Sequence, residues 1–219
     1  MSRYRAVLLD AFGTLFELDD PFGRLHRALR ERLGIDRERA DVEDAFLAEA
    51  AHYADHCHEA VDEHTLLALQ MDCAGIVIER LSLPVDPERA VEALGDSIAY
   101  RVFDDVPPAL AELGRRGVPA AVVSNWDYSL HDVLARLGLE FDVVVTSAGA
   151  GASKPDPAPF RAALDRLGIA PGEALHVGDT PDADGEGARE AGIEVRIIDR
   201  TRPGGADTIG RLTEIADLL

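Results

Sequence analysis

Positive charge is scarce in this sequence, and lysine is almost missing from it. The 219 residues carry 41 acidic against 22 basic side chains, a formal charge of −19. A field of that sign repels nucleic-acid phosphates and anionic membranes, so binding either through overall charge is excluded. An anionic ligand would need a local site built from particular cations and backbone N–H groups. No apolar run approaches the ~20 residues of a membrane span, and the chain opens on a strand-like segment with no signal-peptide pattern. Cysteine is also short. Cys57 and Cys73 cannot frame a disulfide-stapled fold, so a reduced, cytoplasmic setting is expected. Internal repeats and low-complexity linkers are lacking too.

Lys154 is the single lysine among the 22 basic residues. Arginine offers a planar fork and lysine a compact, strongly hydrated point charge. Keeping an ammonium at one place suggests a position that needs such a charge; the alternative is an ordinary surface lysine.

The chain is organised around residues 5–16, RAVLLDAFGTLF. The uninterrupted apolar run Ala6 to Leu9 reads as a strand buried on both faces, as in a parallel sheet. It stops on Asp10, and ligands of such sheets bind outside the carboxyl ends of strands. From about Leu18 to Tyr100 the pattern is helical. Helices are expected over 21–33, 41–54, 66–81 and 86–99, with Gly34 a stop and Pro87 in a first turn. From Val102 strands and helices alternate. Strands are expected at 118–123, 141–146, 174–177 and 194–198, and helices at 107–116, 129–137, 157–167, 184–191 and 207–219, with Gly204-Gly205 in a loop. That alternation predicts an α/β fold, a parallel sheet flanked by helices. The expected division is a core of residues 1–16 and 102–219 with an inserted helical cap, 17–101.

Chemistry-bearing residues fall at the expected strand ends: DAFGT (10–14), VVSN (122–125), SKPDP (153–157) and HVGDTPDADGEGAREAG (176–192). In these motifs and their order the chain resembles the haloacid dehalogenase-like (HAD) hydrolases, in the branch with a helical cap after the first motif. SNWD (124–127) and the HVGD run resemble the REG-2-like and HDHD3-like subgroup. The resemblance implies a Rossmann-like core and a hydrolase acting through an ester on Asp10. It places Gly13, Thr14, Ser124, Asn125 and Lys154 around the substrate, with Lys154 offsetting charge. It also implies Mg²⁺ held by Asp10, the Phe12 backbone carbonyl, Asp179 and Asp184, a hard ion among oxygen ligands. Asp182 reads as a cap or a solvent-facing residue. The expected partner is a small anionic phosphate ester, without nucleic acid or membrane; oligomeric state is left open.

One position departs from the pattern. Phosphatases of this superfamily usually carry a second Asp two residues after the nucleophile, as general acid and base; here it is Phe12. Losing a general acid–base typically costs roughly 10²–10⁴-fold. Three readings follow: a Mg²⁺-dependent phosphatase, a metal-independent 2-haloacid dehalogenase whose halide leaves unprotonated, or a catalytically weak binding module. Phosphonate-cleaving relatives use a cap lysine, and residues 17–101 contain none. Five of the seven histidines, His26, His52, His56, His58 and His64, lie in that segment. His52 and His56 have a spacing that can grip a metal, although no third ligand is evident, and one of the five could replace the missing acid–base. Trp126 reads as packing.

Overall fold

The computed structural model describes residues 3–202, 204–205 and 207–219. The chain divides into two compact units, Met1–Glu17 with Val102–Leu219, and Leu18–Arg101. In the first, β1 (Ala6–Leu9) is the centre of the sheet, and all four of its side chains are buried. The chain leaves through β2 (Phe16–Leu18) and returns through β3 (Tyr100–Val102), which pair as a two-stranded sheet. Then follow α5 (Val106–Arg116), β4 (Ala120–Ser124), α6 (Leu130–Arg136), β5 (Val143–Thr146), α7 (Ser147–Ala150), α8 (Ala158–Leu167), β6 (Ala174–Gly178), α9 (Gly187–Glu190), β7 (Glu194–Ile198) and β8 (Thr208–Ile209). The second unit holds α1 (Pro21–Leu33), α2 (Arg39–His56), α3 (Glu63–Leu81) and α4 (Pro87–Ser97).

The large sheet runs β5-β4-β1-β6-β7-β8, and each neighbouring pair is parallel. Register is tight around β1, with Leu8 opposite Ala121 on one side and His176 on the other. Strands buried on both faces need apolar residues throughout, which AVLL and AAVV supply. On one face Leu8, Val123, Phe160, Leu164 and Ile193 form a continuous apolar core under α8 and α9. Truncating a leucine in such a core typically costs about 2–5 kcal/mol.

The helical unit has its own core of Leu25, Leu29, Phe46, Leu69, Val77, Leu81 and Leu94, with Phe22 edge-on to Phe46 at 5.5 Å. Its helix ends are written in the sequence. Asp20 caps α1 by accepting from the Gly23 amide at 3.2 Å, and Asp62 and Thr65 cap α3 reciprocally. Gly34, at φ 69°, ends α1 in the left-handed region that glycine favours. Among the described residues no helix is long and apolar enough to cross a membrane.

Three expectations need correction. Residues 207–219 are no helix: Thr208–Ile209 add to the open edge of β7, through Ile197 N–H to Asp207 O at 2.8 Å and Asp199 N–H to Ile209 O at 2.9 Å. Leu212–Asp217 then form a 3₁₀ helix. The unpaired edge outweighs a helical preference in so short a tail. Residues 184–191 are not one α-helix either. A π-helical turn, Pro181–Glu186, precedes the four-residue α9. The strands β2 and β3 were not anticipated, since three residues are too few to show alternation and pairing alone defines them.

Candidate active site

The site forms where β1 ends between its two sheet neighbours. The Asp10 amide donates to Val177 O at 2.9 Å, extending the ladder one residue and leaving the carboxylate beyond the strand. From β4 on one side, Ser124 Oγ donates to Asp10 Oδ1 at 2.9 Å. From the loop after α7, Lys154 Nζ donates to the same oxygen at 2.6 Å and to Asp184 Oδ1 at 2.6 Å. Both bonds to Asp10 fall on Oδ1, and among the described residues Oδ2 accepts none. The sole lysine is thus buried between two carboxylates, with its side chain 3% exposed. Burial alone would lower its proton affinity, but the charges of Asp10 and Asp184 outweigh that and raise it, so the ammonium is secure.

Asn125 uses both ends of its amide on the lysine's backbone. Its Oδ1 accepts from Lys154 N at 2.7 Å and its Nδ2 donates to Lys154 O at 3.0 Å. This side chain holds the lysine loop. Thr14 is wholly buried, and its hydroxyl has no partner among the described residues. Trp126 is buried too, with its ring edge-on to Phe16 at 5.8 Å. Phe12 is 43% exposed, its ring 6.5 Å from those of Phe16 and Trp126. Asp182 is exposed.

Asp10, Asp179 and Asp184 each offer a carboxylate oxygen, all within 4.8 Å of one another. Two glycines make room for this. A Cβ on Gly13, which sits at φ +81°, would lie 2.2 Å from Asp179 Oδ2, and one on Gly178 would lie 2.1 Å from Asp184 Cγ. Asp184 is held on several sides: by Lys154, by the Thr180 amide at 3.0 Å and by His176 Nε2 at 3.0 Å. Burial alone would raise its pKa, but Lys154 and His176 hold it well below the usual carboxylate range. Among the described residues the side-chain bond to Asp179 is from the Thr180 hydroxyl, at 3.2 Å. Burial, then repulsion from Asp10 and Asp184, pushes it up to about 6. Burial also raises Asp10, and the charge of Asp184 adds to this against the pull of Lys154. Three carboxylates around one ammonium leave excess negative charge, and the all-oxygen donor set fits a hard divalent cation. The Phe12 carbonyl accepts no backbone hydrogen bond among the described residues.

The family model of haloacid dehalogenase-like hydrolases matches residues 4–192. The chain belongs to this family. All four motifs of this HAD hydrolase lie within the matched span. It is 30% identical over 210 residues to haloacid dehalogenase-like hydrolase domain-containing protein 3 of Mus musculus, covering 91% of this chain and 83% of the mouse protein. That agrees with the subgroup resemblance carried by SNWD and HVGD. A phosphoserine phosphatase of Thermus thermophilus is 39% identical over 121 residues, covering 52% of this chain and 49% of that protein. The crystal structure of a HAD phosphatase from Thermococcus onnurineus superposes with a TM-score of 0.65 at 26% identity, covering 98% and 97% of the two chains.

Sequence reasoning gave no role to His176, whose ring is fully buried, with Nδ1 3.1 Å from Leu8 O and Nε2 on Asp184. The signal was available: it is the one polar side chain inside the apolar strand ALHVG. The paired histidines His52 and His56 stack at 4.2 Å. Among the described residues the only cluster of three or more potential metal ligands is the Asp10 group, so this histidine pair has no third ligand.

Proposed function

We propose that this hydrolase is a Mg²⁺-dependent phosphatase of small anionic phosphate monoesters, acting through an aspartyl-phosphate on Asp10. The observation that carries the reading is the division of labour at Asp10. Oδ1 is tied down by Ser124 and Lys154, Oδ2 has no partner among the described residues, and two further carboxylates lie within metal-sharing distance. A carboxylate fixed by one oxygen presents the other as an oriented nucleophile. Asp10, Asp179 and Asp184, with the Phe12 carbonyl, would hold Mg²⁺, which offsets phosphoryl charge when bound. Oδ2 attacks phosphorus, the leaving alkoxide takes its proton from water, and a water then hydrolyses the acyl phosphate to restore Asp10. Lys154 favours the ionised form of Asp10 against burial and offsets the incoming charge, and Ser124 holds the attacking carboxylate in line. The division into an α/β core and an inserted helical cap belongs to the same reading, as does the placing of Gly13 and Thr14 beside the transferring group.

Phe12 favours one other reading. With a phenyl ring beside the nucleophile and no proton donor on that side chain, displacement of a halide from a 2-haloacid fits that position. Turnover of a panel of phosphate monoesters and of L-2-chloropropionate, each with Mg²⁺ and with EDTA, separates the two. Phosphate release abolished by EDTA is expected; chloride release insensitive to EDTA would replace this reading with the dehalogenase. Silence on both from folded protein would leave a binding module.

A further inference from the structure

Arg200 lies just past β7, outside all four motifs, yet its guanidinium reaches the turn that follows the nucleophile. Nη1 donates to Gly13 O at 3.1 Å and Nη2 to Thr14 O at 2.9 Å. Nη2 also donates to Asp105 Oδ1 at 3.0 Å, and Cζ stands 3.9 Å over the Phe103 ring. Asp105 is only 4% exposed and stands at the N-cap of α5, but its carboxylate does not cap that helix. It is turned onto Arg200 and onto the Leu212 amide, which donates to Oδ2 at 2.6 Å. Phe103 N–H in turn donates to Leu15 O at 3.1 Å. One planar cation therefore ties the catalytic turn to three other segments of the core: Phe103–Asp105, the stretch after β7, and the C-terminal 3₁₀ helix.

The consequence runs through peptide geometry. In a trans peptide the C=O and N–H point in opposite directions. With Gly13 O fixed on Arg200, the Thr14 N–H is fixed on the other side of the same peptide, and among the described residues it has no partner. A charge-assisted bond to the carbonyl also polarises the amide and makes its N–H a stronger donor. We propose that Arg200 is a positioning residue, which with Asp105 orients the Gly13–Thr14 peptide so that the Thr14 N–H is presented to the anionic group of the substrate. This rests on the reading of the site as a phosphatase. Lysine would not replace it, because a single ammonium cannot span two carbonyls and a carboxylate in one plane.

The probe is inorganic phosphate with Mg²⁺, titrated calorimetrically into wild type, Arg200→Ala, Arg200→Lys and Asp105→Asn. Backbone amide exchange of residues 11–16 is followed in each. Loss of one charged anchor should weaken phosphate binding about 10- to 100-fold, speed exchange in that turn, and lower kcat more than it raises KM. Mg²⁺ affinity, read from the metal-dependent thermal shift, should fall much less than phosphate affinity, since Lys154 holds Asp10 and Asp184, and Thr180 holds Asp184 and Asp179, without Arg200. Added guanidinium should partly restore Arg200→Ala, which it would not do for a globally damaged fold. Unchanged phosphate affinity and unchanged exchange in folded Arg200→Ala would overturn the proposal. So would parallel loss of Mg²⁺ affinity and of a cooperative melt, which would make Arg200 a general structural residue. A wild type that binds no phosphate would refute the phosphatase reading first, and the exchange result would then still decide whether Arg200 holds the turn.

Discussion

Glu49 offers a sharp physical test within the helical unit. It lies on α2 beside the buried Val42, Ala45 and Phe46, only 6% exposed, and the Cys73 thiol offsets a small part of the cost of its charge. Burial is the larger effect and pushes its pKa to about 7 from the ordinary 4.5. Below about pH 4.5 folded and unfolded states are both protonated, and Glu49 adds no pH dependence. As pH rises towards 7 the unfolded chain ionises first, so the folded state binds more protons and stability falls with pH. Above about pH 7 both states are ionised and the full penalty persists. The gap between the two pKa values corresponds to a loss on the order of 3 kcal/mol. Glu49→Gln keeps the shape without the charge. Urea unfolding of both proteins at several pH values should give near-equal stabilities at about pH 4.5. By about pH 8 the variant should be ahead by roughly 3 kcal/mol, other titrating groups cancelling in the difference. A difference that stays flat across that range would refute the reasoning and mean that Glu49 meets water or an unseen cation.

Other expectations concern the core. Phe12→Asp should raise turnover of esters with poor leaving groups by roughly 10²–10⁴-fold by supplying a proton donor, measured as kcat across a leaving-group series. Little change there would mean that another residue already donates. Gly13→Ala strains a turn at φ +81° and drives a methyl into Asp179, so divalent-ion affinity measured calorimetrically should collapse while the sheet stays folded. Lys154→Met leaves Asp10 and Asp184 buried without their cation, which typically costs about 3–5 kcal/mol; its melting temperature should fall further in EDTA than in Mg²⁺.

Much of the core was legible because its strands are buried on both faces. Runs such as AVLL and AAVV admit few readings, and each ends on a residue, Asp10 or Ser124, that breaks the apolar pattern. The carboxylates were legible for the same reason, since Gly178-Asp179 closes the strand ALHVG. What was not legible depends on tertiary pairing. Three-residue strands have no period of their own, and β8 exists because β7 leaves an edge open. The pairing of the Asn125 amide with the peptide of Lys154 is of the same kind, since a partner 29 residues away cannot be read from SNWD. Arg200 was hidden similarly, as one arginine in an arginine-rich chain, marked only by where β7 sets it down.

The most direct test of the account is trapping of the covalent intermediate. A rapidly quenched reaction of phosphate ester, Mg²⁺ and enzyme, reduced with borohydride, should convert Asp10 to homoserine, detectable by peptide mapping, and Asp10→Asn should neither turn over nor be modified. Turnover that proceeds with Asp10 unmodified, or that survives in Asp10→Asn, would contradict nucleophilic catalysis by this carboxylate.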